Sequence, residues 1–140
     1  MRRGKPRTLD LMAARAAVFA TLVLLAGTAS AQVFNVSLVQ LIANPDRYDR
    51  KPVQVTGYCS LEFEGLAIYL HRDDERYGNT KNAVWLDLSE DLLRTAEFRK
   101  GHCLVKGVFN AKDEGHMGLF SGALTEIDRM EAWPPYPVRE

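Results

Sequence analysis

Three histidines, two cysteines and one acidic run are the groups in this 140-residue chain whose types suit chemistry. His71 stands beside Asp73, Asp74 and Glu75, and His116 follows Gly115. Histidine titrates near neutral pH and also ligates metals, so His71 with Asp73 or Glu75, and His116, hold the ingredients of acid–base or metal-assisted hydrolysis. Their spacing matches no metal motif, and acidic surface loops are commonly just solvated; no metal and no cofactor are expected. His102 begins a strand and reads as incidental polarity. The sequence has no G-x-S-x-G, H-E-x-x-H or phosphate-binding loop, so no catalytic residue is assigned. In an oxidising compartment Cys59 and Cys103 are more often a disulfide than free thiols. The alternative is a pair of buried small hydrophobes.

These groups need elements to position them. Along Pro52 to Phe63, Val53, Val55, Gly57, Cys59, Leu61 and Phe63 alternate with Gln54, Thr56, Tyr58, Ser60 and Glu62. Such period-2 alternation predicts a long half-buried strand, with Gly57 marking a bend or bulge. Glu64-Gly65 breaks it, and Leu66 to Leu70 returns as the second arm of a hairpin. His71 to Asn82 reads as a polar loop. Ala83 to Leu88 is a third strand. Ser89 caps a helix running through Phe98, with Glu90 and Asp91 at its start and Arg99, Lys100 and Gly101 at its end. His102 to Asn110 is a fourth strand and Leu119 to about Ile127 a fifth, with Gly122 a candidate bulge. Ahead of them, Ser37 caps a short helix with Leu38, Leu41 and Ile42 on one side, and Asn44-Pro45 ends it or starts a new turn.

The order α-β-β-β-α-β-β predicts a mainly β fold, a five-stranded OB-fold-like barrel. The barrel takes residues 52–131, after an N-terminal helix and lead-in over 32–51 and before an extended, proline-rich tail over 132–140. In this barrel the first and fourth strands pair antiparallel, which brings Cys59 opposite Cys103. With Leu66, Ile68 and Leu70 inward, Ala67, Tyr69 and His71 face out. With Val84, Leu86 and Leu88 inward, Trp85 faces out. The outer surface of the second and third strands is where OB-folds bind, so Tyr58, Glu64, Tyr69, His71, Trp85, His116 and Met117 form a candidate aromatic groove. The competing expectation is that the Ser37 helix or the Trp133–Tyr136 segment covers these aromatics and makes a second small core.

Residues 1–31 read as a signal peptide. Arg2, Arg3, Lys5, Arg7 and Arg15 precede an apolar run from Ala16 to Gly27, and Ala29-Ser30-Ala31 is a small-residue cleavage site. The run is short of the roughly 20 residues a membrane span wants. Gln32, not cysteine, follows the cleavage site, so no stable membrane anchor is expected after cleavage. Five of the 18 basic residues and one of the 18 acidic ones precede Gln32, which leaves 13 against 17 and a net charge of −4. That balance offers no basic stripe for nucleic acid and no attraction to an anionic membrane surface.

The stretches SLVQLIANPDRYDRKPVQVTGY, LEFEGLAIYLH, TKNAVWLDL and GHMGLFSGAL resemble an uncharacterised family of small secreted bacterial proteins, similar in architecture to periplasmic OB-fold proteins. The resemblance implies secretion and transfers no catalytic residue, since fold does not imply function. Three functions follow as expectations. The first is a non-catalytic periplasmic or secreted binding module that presents the aromatic groove to a peptide, glycan or protein partner. The second is a small hydrolase using His71, Asp73 or Glu75, and His116. The third is a structural subunit whose exposed face makes an oligomer.

Overall fold

The computed structural model describes residues 30–133, so nearly all of the expected leader and of the expected tail lie outside the described residues. The chain enters through a two-residue strand, β1 (Phe34–Asn35), parallel to the start of β2 (Pro52–Ser60). Ser37 then opens helix α1 (Leu38–Ala43) with a reciprocal cap. The Gln40 backbone N–H donates to Ser37 Oγ at 3.1 Å, and the Ser37 N–H donates to Gln40 Oε1 at 3.1 Å. Leu38 and Leu41 point into the core. Pro45 starts a second short helix, α2 (Pro45–Tyr48), where its missing N–H costs nothing. Tyr48 is buried beneath this turn, edge-on to Phe34 at 6.3 Å.

The remaining elements are β3 (Ala67–Tyr69), α3 (Arg72–Arg76), a 3₁₀ turn (Thr80–Asn82), β4 (Ala83–Leu86), α4 (Glu90–Thr95), β5 (Lys100–Asn110), a second 3₁₀ turn (His116–Gly118) and β6 (Ala123–Ala132). Around the barrel the strands run β2-β3-β4-β6-β5, and β5 pairs back to β2 to close it. All neighbours are antiparallel except β4 and β6, which run parallel. The fold is therefore mixed α/β: a closed five-stranded mixed barrel with short helices. The expectation of one or two helices undercounts them, because α2 and α3 are too short to show helical periodicity in the sequence.

Val53, Val55, Ile68, Val84, Leu86, Val105, Phe109 and Leu124 fill the barrel. Leu92, Leu93, Ala96 and Phe98 pack against them, although α4 ends at Thr95 and Phe98 reaches the core from extended chain. Ser89 caps α4 as expected, accepting from the Leu92 N–H at 3.2 Å.

Two sequence expectations are corrected here. The ladder between β2 and β5 runs without a break past Gly57, so of the bend or bulge expected there the bulge is absent. It is a point of close approach, since a Cβ there would sit 2.7 Å from both Leu38 Cδ1 and the Tyr69 carbonyl oxygen. The register shift lies between β5 and β6, at Lys106/Val108, not at Gly122. Glu126, on the β6 side of that shift, has φ 48°.

Cys59 and Cys103 are bonded, with Cα atoms 5.8 Å apart and both side chains fully buried. Cys103 pairs in register with Gly57 and Cys59 with Gly101, so the bond crosses the two strands diagonally. A disulfide of this kind suits an oxidising, extracytoplasmic environment. Among the described residues no helix is long and apolar enough to cross a membrane.

Candidate functional site

The expected outward face is only partly open. Tyr69 is 6% exposed and joins Ala67, Ala83 and Phe120 in a second apolar cluster, with Tyr58 and Trp85 packed at its edge. Phe120 arrives from the connection between β5 and β6 and supplies cover expected instead from the Ser37 helix or the tail. On the other side lies α3, drawn close by a charged bridge. Lys100 Nζ donates to Glu75 Oε1 at 2.8 Å and also lies 3.0 Å from Glu62 Oε2. These two carboxylates, Glu75 first, hold the Lys100 ammonium above its ordinary pKa. Burial raises the Tyr69 phenol, the nearby Glu75 charge raises it further, and Lys100 opposes both.

The segment expected as a polar loop, His71 to Asn82, is ordered by its own side chains. His71 is exposed and caps α3, its Nδ1 accepting from the Asp73 N–H at 3.2 Å. Asp74 is buried and accepts from Asn79 Nδ2 at 3.1 Å and Asn82 Nδ2 at 2.9 Å. Leu70, expected inward, is 42% exposed. β3 ends at Tyr69, and the strand's alternation ends with it.

What stays open is a groove of about 500 Å³ beside the hairpin between β2 and β3. Leu61, Phe63, Glu64 and Leu66 of that hairpin form one side. Trp85 of β4, Leu93 of α4, Arg99 and His116 complete the lining. Phe63, expected inward, is 93% exposed. β2 ends at Ser60, where its partner β5 begins, and beyond that point no ladder imposes the pleat. The chain turns instead, with Gly65 N–H bonded to the Glu62 carbonyl at 3.0 Å and Glu64 in the left-handed region at φ 60°.

Trp85 is a wall of this groove and not a free platform. Its ring lies 5.3 Å from Phe120, tilted by 53°, and 6.1 Å from the His116 ring at 25°. Gly115, at φ 64°, brings its backbone against the indole, where a Cβ would fall 2.5 Å from Trp85 Cγ. Only glycine combines that conformation with that approach. Met117, next to His116, is 79% exposed and also left-handed, at φ 56°.

Of the seven residues expected in one groove, Glu64, Trp85 and His116 line it. Tyr58 and Tyr69 belong to the neighbouring cluster, His71 to the start of α3, and Met117 to the turn beside His116. Tyr58 packs edge-on against His102 at 5.7 Å. Among the described residues no three His, Cys, Asp or Glu groups lie close enough to hold a metal ion. Sequence reasoning missed Leu61, Phe63, Leu66, Leu93 and Arg99 as lining residues. The Glu64-Gly65 turn signal, applied one residue earlier, would have placed Phe63 at an exposed tip. Compared with models of known families, with curated proteins and with solved structures, the chain matches none, and the likeness shown is that of a small five-stranded β-barrel.

Proposed function

We propose that this protein is a non-catalytic, extracytoplasmic binding module that captures its partner in the groove beside the β2–β3 hairpin. The observation that carries the reading is Phe63, a large aromatic left 93% exposed at the rim of an apolar groove about 500 Å³ in size. Exposing such a ring to water is unfavourable, and a cleft of this size suits a ligand. The two loops that flank it each hold a non-glycine residue in the left-handed region, Glu64 and Met117. Strain of that kind collects at binding and catalytic sites. The strand order β2-β3-β4-β6-β5 with its parallel β4–β6 contact supports an OB-fold, whose binding surface includes this hairpin. The disulfide and the leader-like N-terminus support secretion to a periplasm or beyond, with residues 32–140 as the mature chain.

The hydrolase reading asks His71, Asp73 or Glu75, and His116 to work together. Glu75 is bonded to Lys100, His71 caps α3 and His116 stacks on Trp85, so each already has a structural partner, and of these residues the groove takes only His116. The test is an amide and indole N–H NMR titration of the oxidised protein with a mixed library of short peptides and oligosaccharides. Shifts confined to the Phe63 hairpin, the Trp85 indole and the His116 turn are expected, and Phe63→Ala should remove them. Shifts gathered on α3 instead, or turnover of any library member, would overturn the reading.

A further inference from the structure

Glu64 and Arg99 line the same groove with opposite charges. Neither has an ion-pair partner within 4.0 Å among the described residues. The neighbouring carboxylates, Glu62 and Glu75, are both taken by Lys100, the residue after Arg99. Arg99 is nonetheless fixed in place. Its backbone carbonyl accepts from the Leu61 N–H at 2.8 Å, and its Nη1 donates to the Leu93 carbonyl at 3.3 Å. A guanidinium has five N–H donors, so most of them remain for a ligand. Alongside the two charges the groove is lined by Leu61, Leu66, Leu93 and the exposed Phe63 ring.

We infer that the occupant of this groove is a short peptide segment that combines an apolar side chain with a basic and an acidic group, an inference that rests on the groove being the binding site. Glu64 takes the basic group, Arg99 takes the acidic one, and the leucines and Phe63 hold the apolar side chain. A neutral sugar answers neither charge, and Trp85 is packed by Gly115, His116 and Phe120 and so is no free stacking platform. A polyanion such as nucleic acid, or an anionic lipid surface, meets Glu64 at the groove and a surplus of acidic residues beyond Gln32. A peptide answers all three features within a few residues.

The probes are acetyl-Lys-Phe-Glu-amide and its uncharged counterpart acetyl-Gln-Phe-Gln-amide, titrated into the oxidised protein and followed at the Trp85 indole and Arg99 amide. The charged peptide should bind more tightly, by up to about fivefold for each exposed charge matched. Its advantage should shrink in high salt. Glu64→Gln and Arg99→Gln should each remove part of that advantage. Both side chains are exposed, so Glu64→Gln should leave the melting temperature unchanged and Arg99→Gln should lower it only slightly, through the lost bond to the Leu93 carbonyl. Equal affinity of the two peptides at the groove would overturn the charge-matched occupant and leave the groove standing. Groove signals that neither peptide moves would overturn the peptide occupant, and if the mixed library of peptides and oligosaccharides also leaves them unmoved, the groove reading falls with it.

Discussion

Phe63 and Trp85 are both aromatic and both line the groove, yet they should respond to truncation in opposite ways. Phe63 is 93% exposed, so Phe63→Ala removes almost no packing and should leave the thermal melt within about 0.5 kcal/mol of the parent. Trp85 is half-buried between Phe120, His116 and Gly115. Its loss to alanine leaves a cavity under the second cluster and should cost about 3 kcal/mol, near the lower end for a large aromatic. Urea unfolding of the two variants checks this, and equal losses would contradict the placement of the rings. Gly115→Ala asks the same question from the other side. The added methyl meets the indole ring at a residue with φ 64°, so it should destabilise the domain by about 1–3 kcal/mol and shift the tryptophan fluorescence. A variant with parental stability and spectrum would mean the turn does not pack on Trp85.

At the scale of elements, α3 and the start of β5 form one electrostatic unit beside Tyr69. Lys100 is raised by its hydrogen bonds to Glu75 and Glu62, and Tyr69 is raised by burial and then by Glu75. Both groups thus hold their protons more tightly in the folded chain than in the unfolded one. Their contribution is complete below the unfolded values, near pH 10, and is lost as pH rises through the folded ones. The melting temperature should therefore stay level from neutral pH to about 10 and fall beyond it. Tyr69→Phe with Glu75→Gln should flatten that alkaline fall, and an unchanged slope would show that these groups do not produce it. Asp74 orders the same segment through Asn79 and Asn82. Asp74→Ala leaves two amide donors without their acceptor and should cost about 1–3 kcal/mol. Hydrogen exchange should then quicken over 71–82 before it quickens in the barrel.

For the whole molecule, closure of the barrel and the disulfide act at the same seam, the ladder between β2 and β5. The bond links residues 44 apart in sequence. Restricting an unfolded chain over a loop of that length stabilises the fold by about 4 kcal/mol in the chain-entropy treatment. Reduction, or Cys59→Ala with Cys103→Ala, should lower the urea midpoint by about 1 M or more, given the unfolding slope of a domain this size. The barrel ladders do not depend on the sulfurs, so the reduced protein should keep its β spectrum. An unchanged midpoint would mean that the unfolded chain is already restrained by other means.

Sequence alone determined the elements whose signals are local. Alternation along Pro52 to Ser60 and Cys103 to Phe109 marks the long strands, because a pleat must send successive side chains to opposite faces. Ser37 and Ser89 announce their helices, because a helix start leaves N–H groups that a hydroxyl can satisfy. The cysteine pairing was legible too, once the first and fourth strands were set side by side. The candidate groove was legible in part: strand order and face turned Trp85 outward, and the binding surface usual for an OB-fold set Glu64 and His116 beside it. The rest depended on contacts between residues far apart in the chain. Whether Tyr69 is open hinges on Phe120, 51 positions later in the numbering, and on the Lys100–Glu75 bridge that draws α3 over it. Where β2 ends hinges on where β5 begins, and that boundary turns Phe63 from a core residue into the exposed rim of the groove. Arg99 enters the site because its carbonyl binds Leu61, a partner that helix patterning could not supply. Periodicity reports the face on which a side chain lies, but only packing across the barrel determines what covers that face.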